Sequence, residues 1–284
     1  MAASDKRLSP TDLKAIFGLE PAKAIAYLKF KGYAITWNWQ DMLDQAHDQA
    51  FTVAKAMRLD LLSDIRAALE TALQDGQTLK QFITNMQPTL EAQGWWGQQV
   101  IVDSEGVGEL VQLGSPRRLK TIYQTNLQSA YMAGRKAEME QTTETHPYWM
   151  YVAILDGKTR PSHRALHGQV FRHDDPIWSA IFPPNGFNCR CRVIALSEAA
   201  VKRRGLRVVS SEGRMFTETV ETGTDKRTGE IRTASVTGIR TTDASGNAVT
   251  FRTDPGFNHS PGTGLVETLK RKESAAQESK DVHH

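Results

Sequence analysis

Apolar residues recur at helical spacing through the first half of the chain, and the pattern changes near residue 146. Ser9 followed by Pro10 reads as an N-cap with proline at the first helical position, ahead of Leu13, Ile16 and Phe17. Over 20–31, Ala22, Ala24, Ile25 and Leu28 fall three or four apart, and Gly32 ends the segment. Trp39, Met42, Leu43, Ala46, Ala50, Val53, Ala54 and Met57 keep the same period and predict a helix over 39–57. A further helix is predicted over 61–73, stopping near Gly76. Thr78 caps another through Phe82 and Met86, which Pro88 is expected to interrupt. A loop rich in glycine and acids fills 102–115. Pro116 then opens a long helix to Gln141, with Leu119, Ile122, Tyr123, Leu127, Ala130, Tyr131 and Ala133 on one side.

After His146-Pro147 the residues become aromatic and β-branched. The run 148–155 (YWMYVAIL), closed by Asp156-Gly157, reads as a buried strand with a turn behind it. A second strand is expected at 193–196, and Ser197 caps a short basic helix. From 206 onwards Thr, Ser and Gly dominate. Short strands are predicted at 215–220, 235–240 and 249–252, with turns at 225–229 and 245–247. The predicted fold class is α+β: a helical N-terminal region followed by a small mixed α/β domain and a β-rich C-terminal extension. The expected divisions are 1–145 (helical arm or bundle), 146–205 (mixed core), 206–262 (short-stranded extension) and 263–284 (a helix-prone charged tail).

A chain of 284 residues with 39% hydrophobic and 24% charged content can build a core without disulfides or metals. No stretch approaches the ~20 apolar residues of a membrane span. The N-terminal MAASDKR lacks the apolar segment of a secretion signal, so no membrane partner and action in the cytoplasm are expected. Formal net charge is only +3, but it is unevenly spread: between Gly157 and Arg214 stand eleven basic residues against four acids, which leaves the remainder of the chain net acidic. Arg190, Arg192, Lys202, Arg203 and Arg204 lie in this stretch and are candidates for contact with a phosphate backbone or an acidic partner. A solvated basic face explains the same residues.

The chemistry is concentrated in 155–193, which holds three of the eight histidines and both cysteines. His163 and His167 are four apart, so a helical turn would put both rings on one face. Cys189 and Cys191 are two apart, so on a strand both sulfurs would point the same way. If the intervening Pro-Pro-Asn-Gly loop folds back, His163, Cys189 and Cys191 could converge on a structural Zn2+, with His167, His173 or Asp156 as the fourth ligand and His167 the first candidate. Buried cysteines with hydrogen-bonded histidines are the alternative. A cysteine nucleophile with His163 as base is the sharper reading, but no third residue stands out to orient it, and no catalytic residue is assigned.

At these residues the sequence resembles the Mu F-like phage head morphogenesis family. The resemblance rests on Ala153-Ile154-Leu155-Asp156-Gly157, then Thr159-Arg160-Pro161-Ser162-His163, then Leu166-His167-Gly168. It continues through Pro183-Pro184-Asn185-Gly186-Phe187-Asn188-Cys189-Arg190-Cys191, covers residues about 50 to 200, and recurs in Asp254 to Gly262. It implies a minor head protein, present in few copies in the virion and assembled in the host cytoplasm. Its partners would be the portal protein, other head proteins and, without sequence specificity, phage DNA, with a role in packaging or delivery. It implies a structural protein rather than an enzyme; a Cys/His-dependent enzyme or packaged toxin-like effector is the alternative. Relatives often carry Cys-x-x-Cys where this chain has Arg160 and His163, and a histidine where it has Gly186. One possible ligand is thus replaced and another is missing.

Overall fold

The computed structural model describes residues 21–102, 106, 108–225, 228–243 and 246–263. The expected N-cap at Ser9 and the tail beyond residue 263 lie outside them. Helices and strands are both present, with the helical region first and most of the strand content after it, an α+β fold. The described residues divide into two compact units, 21–41 with 50–131, and 42–49 with 132–263.

The first unit is built on helices. Helix α1 (Pro21–Phe30) buries Ala24, Tyr27 and Leu28. Leu61, Leu62, Ile65, Leu69, Ala72 and Leu73 make the buried stripe of Leu59–Asp75. That helix ends where Gly76 takes the left-handed conformation (φ 66°) and its N–H returns to Ala72 O. Leu79–Ala92 begins with a reciprocal cap between Thr78 and Gln81, and Tyr123 Oη closes on Gln77 O at 2.6 Å. The helix runs through Pro88 rather than stopping there. The proline removes one N–H near the C-terminal end, while buried Met86 and Leu90 on either side hold the turn.

Two further readings of this region are corrected. The period over 39–57 does not make one helix: it holds a 3-10 turn at Trp39–Asp41, four helical residues at Ala46–Gln49 and a strand residue pair at Ala50–Phe51. Asp41 Oδ2 takes the N–H groups of Trp37 and Asn38, and Asp44 and Lys55 sit at positive φ, which a helix excludes. Instead, β1 (Gly32–Tyr33) pairs in parallel with β2 (Ala50–Phe51). The stretch predicted as a loop after residue 102 belongs largely to a β-hairpin, β3 (Gln98–Val102) with β4 (Gly108–Gln112), whose β-branched residues Val100, Ile101 and Val102 favour extended backbone. Arg118 anchors it. Its guanidinium donates to Gln112 O (2.8 Å), Leu113 O (2.9 Å) and Ala54 O (2.5 Å), and lies 4.7 Å from the centre of the Trp95 ring.

In the second unit, β5 (Tyr148–Val152) is the middle strand of an antiparallel sheet, between β6 (Val170–Arg172) and β7 (Arg192–Leu196). Strand β6 carries no signal in the sequence, because three residues are too short to show alternation. Trp149 packs against Trp178 and Phe182 at ring-centre distances of 5.6 and 5.8 Å. Ser197 caps the short helix Glu198–Arg203 by accepting the Ala200 N–H, as its position predicts. A second sheet follows: β8 (Met215–Thr224), β9 (Ile231–Thr242) and β10 (Ala248–Arg252), antiparallel in the order β10-β9-β8. Gly238 of β9 has no room for a side chain, because a Cβ there would lie 2.4 Å from the Phe216 ring and 2.5 Å from Phe251 O.

Candidate metal centre

The register of β5 against β7 sets Tyr151 opposite Val193 and Val152 opposite Arg192. Cys191 immediately precedes β7, and two-residue alternation gives it the same face as Val193, towards Tyr151. Beyond β5 the chain turns at Asp156 and enters the short helix Pro161–Ala165, with Pro161 at its first position. That helix presents His163 to the two sulfurs. His163 Nδ1 lies 3.4 Å from Cys191 Sγ and 3.7 Å from Cys189 Sγ. All three side chains are buried, and their donor atoms lie within 4.8 Å of one another.

Around this group the contacts are polar and charged. The Asp156 carboxylate grips Arg190 through two bonds, of 2.7 and 2.5 Å, and this hydrogen-bonded pairing holds it far below the ordinary carboxylate range. His163 Nε2 lies 3.4 Å from Arg160 Nη1, and Arg160 Nη2 donates to Asp254 Oδ2 at 2.8 Å. Burial raises the Asp254 carboxyl, an effect its arginine partner only partly offsets. The loop 183–188 passes close to this pair at Gly186: a Cβ there would lie 2.1 Å from Asp254 Oδ2 and 2.7 Å from Arg160 Nη1, so a side chain at 186 would displace the ion pair. Tyr151 Oη donates to Asn185 Oδ1 at 2.8 Å and also contacts the Cys191 sulfur. The Phe251 ring of β10 covers His163 with ring centres 5.2 Å apart. The two thiols are driven apart: a hydrogen bond from Cys191 lowers Cys189, and the same bond raises Cys191.

Does this donor set suit a metal ion? Zn–S of about 2.3 Å and Zn–N of about 2.0 Å at a tetrahedral angle place nitrogen and sulfur roughly 3.6 Å apart. The two observed separations, 3.4 and 3.7 Å, straddle that value. Two thiolates and an imidazole are also the ligand types that zinc prefers. His163, Cys189 and Cys191 therefore fit three corners of a tetrahedral site. On the far side of the ring, the neighbour of Nε2 is the donor Arg160, where a coordinated histidine ordinarily meets an acceptor.

Residues 63–194 match the family model described as "Phage Mu protein F like protein". The chain is 48% identical over 265 residues to the "Putative capsid assembly protein F" of Escherichia phage Mu, covering 92% of this chain and 59% of that protein. It is 44% identical over 234 residues to the "Mu-like prophage FluMu F protein" of Haemophilus influenzae, covering 82% of this chain and 54% of that one. The chain belongs to the Mu F-like family. It spans a little over half the length of these two relatives. No solved structure matches it.

Within this Mu F-like chain, three of the four expected ligands meet. The fourth, His167, is exposed, with Nδ1 3.1 Å from Ala153 O and 3.2 Å from Ala153 N. The five basic candidates separate into two groups. Arg190 is occupied by Asp156, and Arg192 is half-buried, with burial lowering its pKa and its Nε lacking a hydrogen-bond partner. Lys202, Arg203 and Arg204 are exposed around the end of the helix Glu198–Arg203, where Lys202 pairs with Glu198 at 2.8 Å. Sequence reasoning did not single out Tyr151, Phe251 and Asp254 for the centre. Tyr151 had a readable signal, a tyrosine in a strand otherwise destined for burial.

Proposed function

We propose that this chain is a structural, non-catalytic minor component of a tailed-phage head. It acts in head morphogenesis beside the portal, with the portal protein and other head proteins as partners, and contributes to DNA packaging or delivery. The observation that carries this reading is the 48% identity, over nearly the whole chain, with a Mu protein named for capsid assembly. Its place is then the virion, assembled in the host cytoplasm; no helix among the described residues is long and apolar enough to cross a membrane.

In this reading His163, Cys189 and Cys191 hold a structural zinc that ties the loop before β7 to the helix after β5. When bound, the ion supplies a rigid cross-link between these segments and no redox chemistry. Burial of all three donors supports a structural rather than catalytic role, since a bulky substrate has no approach to them. Exposed Lys202, Arg203 and Arg204 offer DNA a contact that reads phosphate and not sequence.

The test is composition of purified particles. DNA-filled heads assembled with this chain should contain it at a few copies per head, and it should co-purify with the portal protein after the shell is disrupted. Heads that assemble, fill and retain DNA while the chain stays in the soluble fraction would refute the assignment.

A further inference from the structure

Three donors leave a tetrahedral ion one corner short. Among the described residues, the group of potential ligands is limited to His163, Cys189 and Cys191. Beside it sits a polar side chain whose own needs are not met. Asn185 is fully buried, its backbone N–H is directed at Cys189, and its Oδ1 accepts from Tyr151 Oη at 2.8 Å. Its Nδ2 has no hydrogen-bond partner. A buried amide nitrogen left in that state is costly, so such groups commonly mark a bound water or small ligand. Turning the amide over does not remove the deficit, because Nδ2 would then face Tyr151 and the oxygen would be left without a partner.

We infer that the metal centre is completed by one exchangeable, solvent-derived ligand, a water that small anions can replace, and that Asn185 is the residue that holds it. This rests on the zinc reading above and deepens it. Tyr151 then has a distinct task. With both cysteines coordinated as thiolates, its one hydroxyl proton is shared between Asn185 Oδ1 and the Cys191 sulfur, and outer hydrogen bonds of this kind to metal-bound sulfur are common. Three protein ligands plus solvent is the composition of an open site rather than of the closed four-ligand sites that only staple a fold. Burial restricts the open corner to ligands of a few atoms.

The experiment uses the full chain loaded with Co2+, whose visible spectrum reports coordination. In wild type, cobalt should bind at one per chain, and azide should shift the ligand-field bands. Asn185→Asp keeps the shape of the side chain but sets a negative charge beside the open corner, and should weaken azide binding by about tenfold or more. Tyr151→Phe removes the hydroxyl that both Asn185 and Cys191 contact, and should shift the sulfur-to-cobalt charge-transfer band and weaken azide binding as well. Cobalt bound at one per chain with bands unmoved by saturating azide would mean that the chain fills all four corners, overturning this inference while the metal centre stands. Failure to bind cobalt or zinc at all would overturn both.

Discussion

Gly186→Ala is the most informative single change in the loop of the candidate centre. The added methyl would lie 2.1 Å from Asp254 Oδ2 and 2.7 Å from Arg160 Nη1. Ordinary contacts begin near 3.4 Å, so the ion pair must move by an ångström or more, or the loop must back away from it. Both atoms are ends of side chains that are 35% and 41% exposed, which makes the first route the cheaper one. Breaking a pair this exposed costs about 0.2–1 kcal/mol, and overpacking that the backbone cannot absorb adds about 1 kcal/mol. A loss of about 1–2 kcal/mol follows, or roughly 2–8 °C in Tm for a chain of this size. The cause can be isolated in a double-mutant cycle. With Asp254→Ala as background, the 2.1 Å conflict is gone and Arg160 is free to turn, so Gly186→Ala should be neutral within about 0.5 kcal/mol. An equal loss in both backgrounds, measured by denaturant unfolding, would refute the argument that this ion pair is what excludes a side chain at 186.

Other perturbations test other parts of the structure. Arg118→Met removes donors from three backbone carbonyls, at about 1 kcal/mol each, and should lower Tm by roughly 6–12 °C in a thermal melt. Phe251→Ala empties the fully buried site against His163 and should cost about 3–5 kcal/mol in urea unfolding, with metal still bound at one per chain when the variant is folded. Stripping zinc with a chelator should lower Tm and make Cys189 and Cys191 alkylate readily, and zinc addition should reverse both effects. Reversing the charge of Lys202, Arg203 and Arg204 together should weaken DNA binding on every sequence alike. The slope of log affinity against log salt should become shallower by about 0.9 for each phosphate that these side chains no longer neutralise.

Local signals in the sequence translated well into structure. The cap at Thr78, the glycine at 76 and the proline opening the helix Pro116–Glu140 each act within one helical turn, and each appears where the residues place it. The failure over 39–57 has the converse cause. Apolar residues spaced three or four apart are necessary for a buried helix but do not exclude other backbones. Here Asp41 captures two N–H groups and turns the chain, which a hydrophobic period does not register. The hairpin Gln98–Val102 with Gly108–Gln112 was hidden because its outward face also carries apolar residues, Val100, Val102 and Leu110, so it shows no clean alternation.

The candidate centre was legible to the extent that its spacing was local. Cys189 and Cys191 lie two apart in the segment that leads into β7, not on the strand itself, so their convergence needs only that local stretch of chain; His163 needs one turn and one helical start. The rest depends on contacts over long separations. Asp254 meets Arg160 across 94 positions, and nothing in either neighbourhood specifies the other. His167 shows the limit of an i, i+4 argument. The helix Pro161–Ala165 ends before it, so the two histidines do not share a helical face, and His167 turns to the backbone of Ala153 instead.

The same contacts explain why a centre at this place would matter to the fold. Two thiols, an imidazole, a phenol and an amide are gathered here under Phe251, and buried polar groups are tolerated only when paired. Without an ion, His163 and the two sulfurs rely in part on one another through contacts of 3.4 and 3.7 Å, which are weak because sulfur is a poor partner. With an ion, the same three groups become ligands and hold the strand β7 to the turn after β5. The difference should be largest locally, so amide exchange in 186–193 and 160–165 ought to slow on zinc binding by more than exchange in β9. Uniform slowing across the second unit would mean instead that the ion stabilises the unit as one cooperative block, and the centre would not be a local staple.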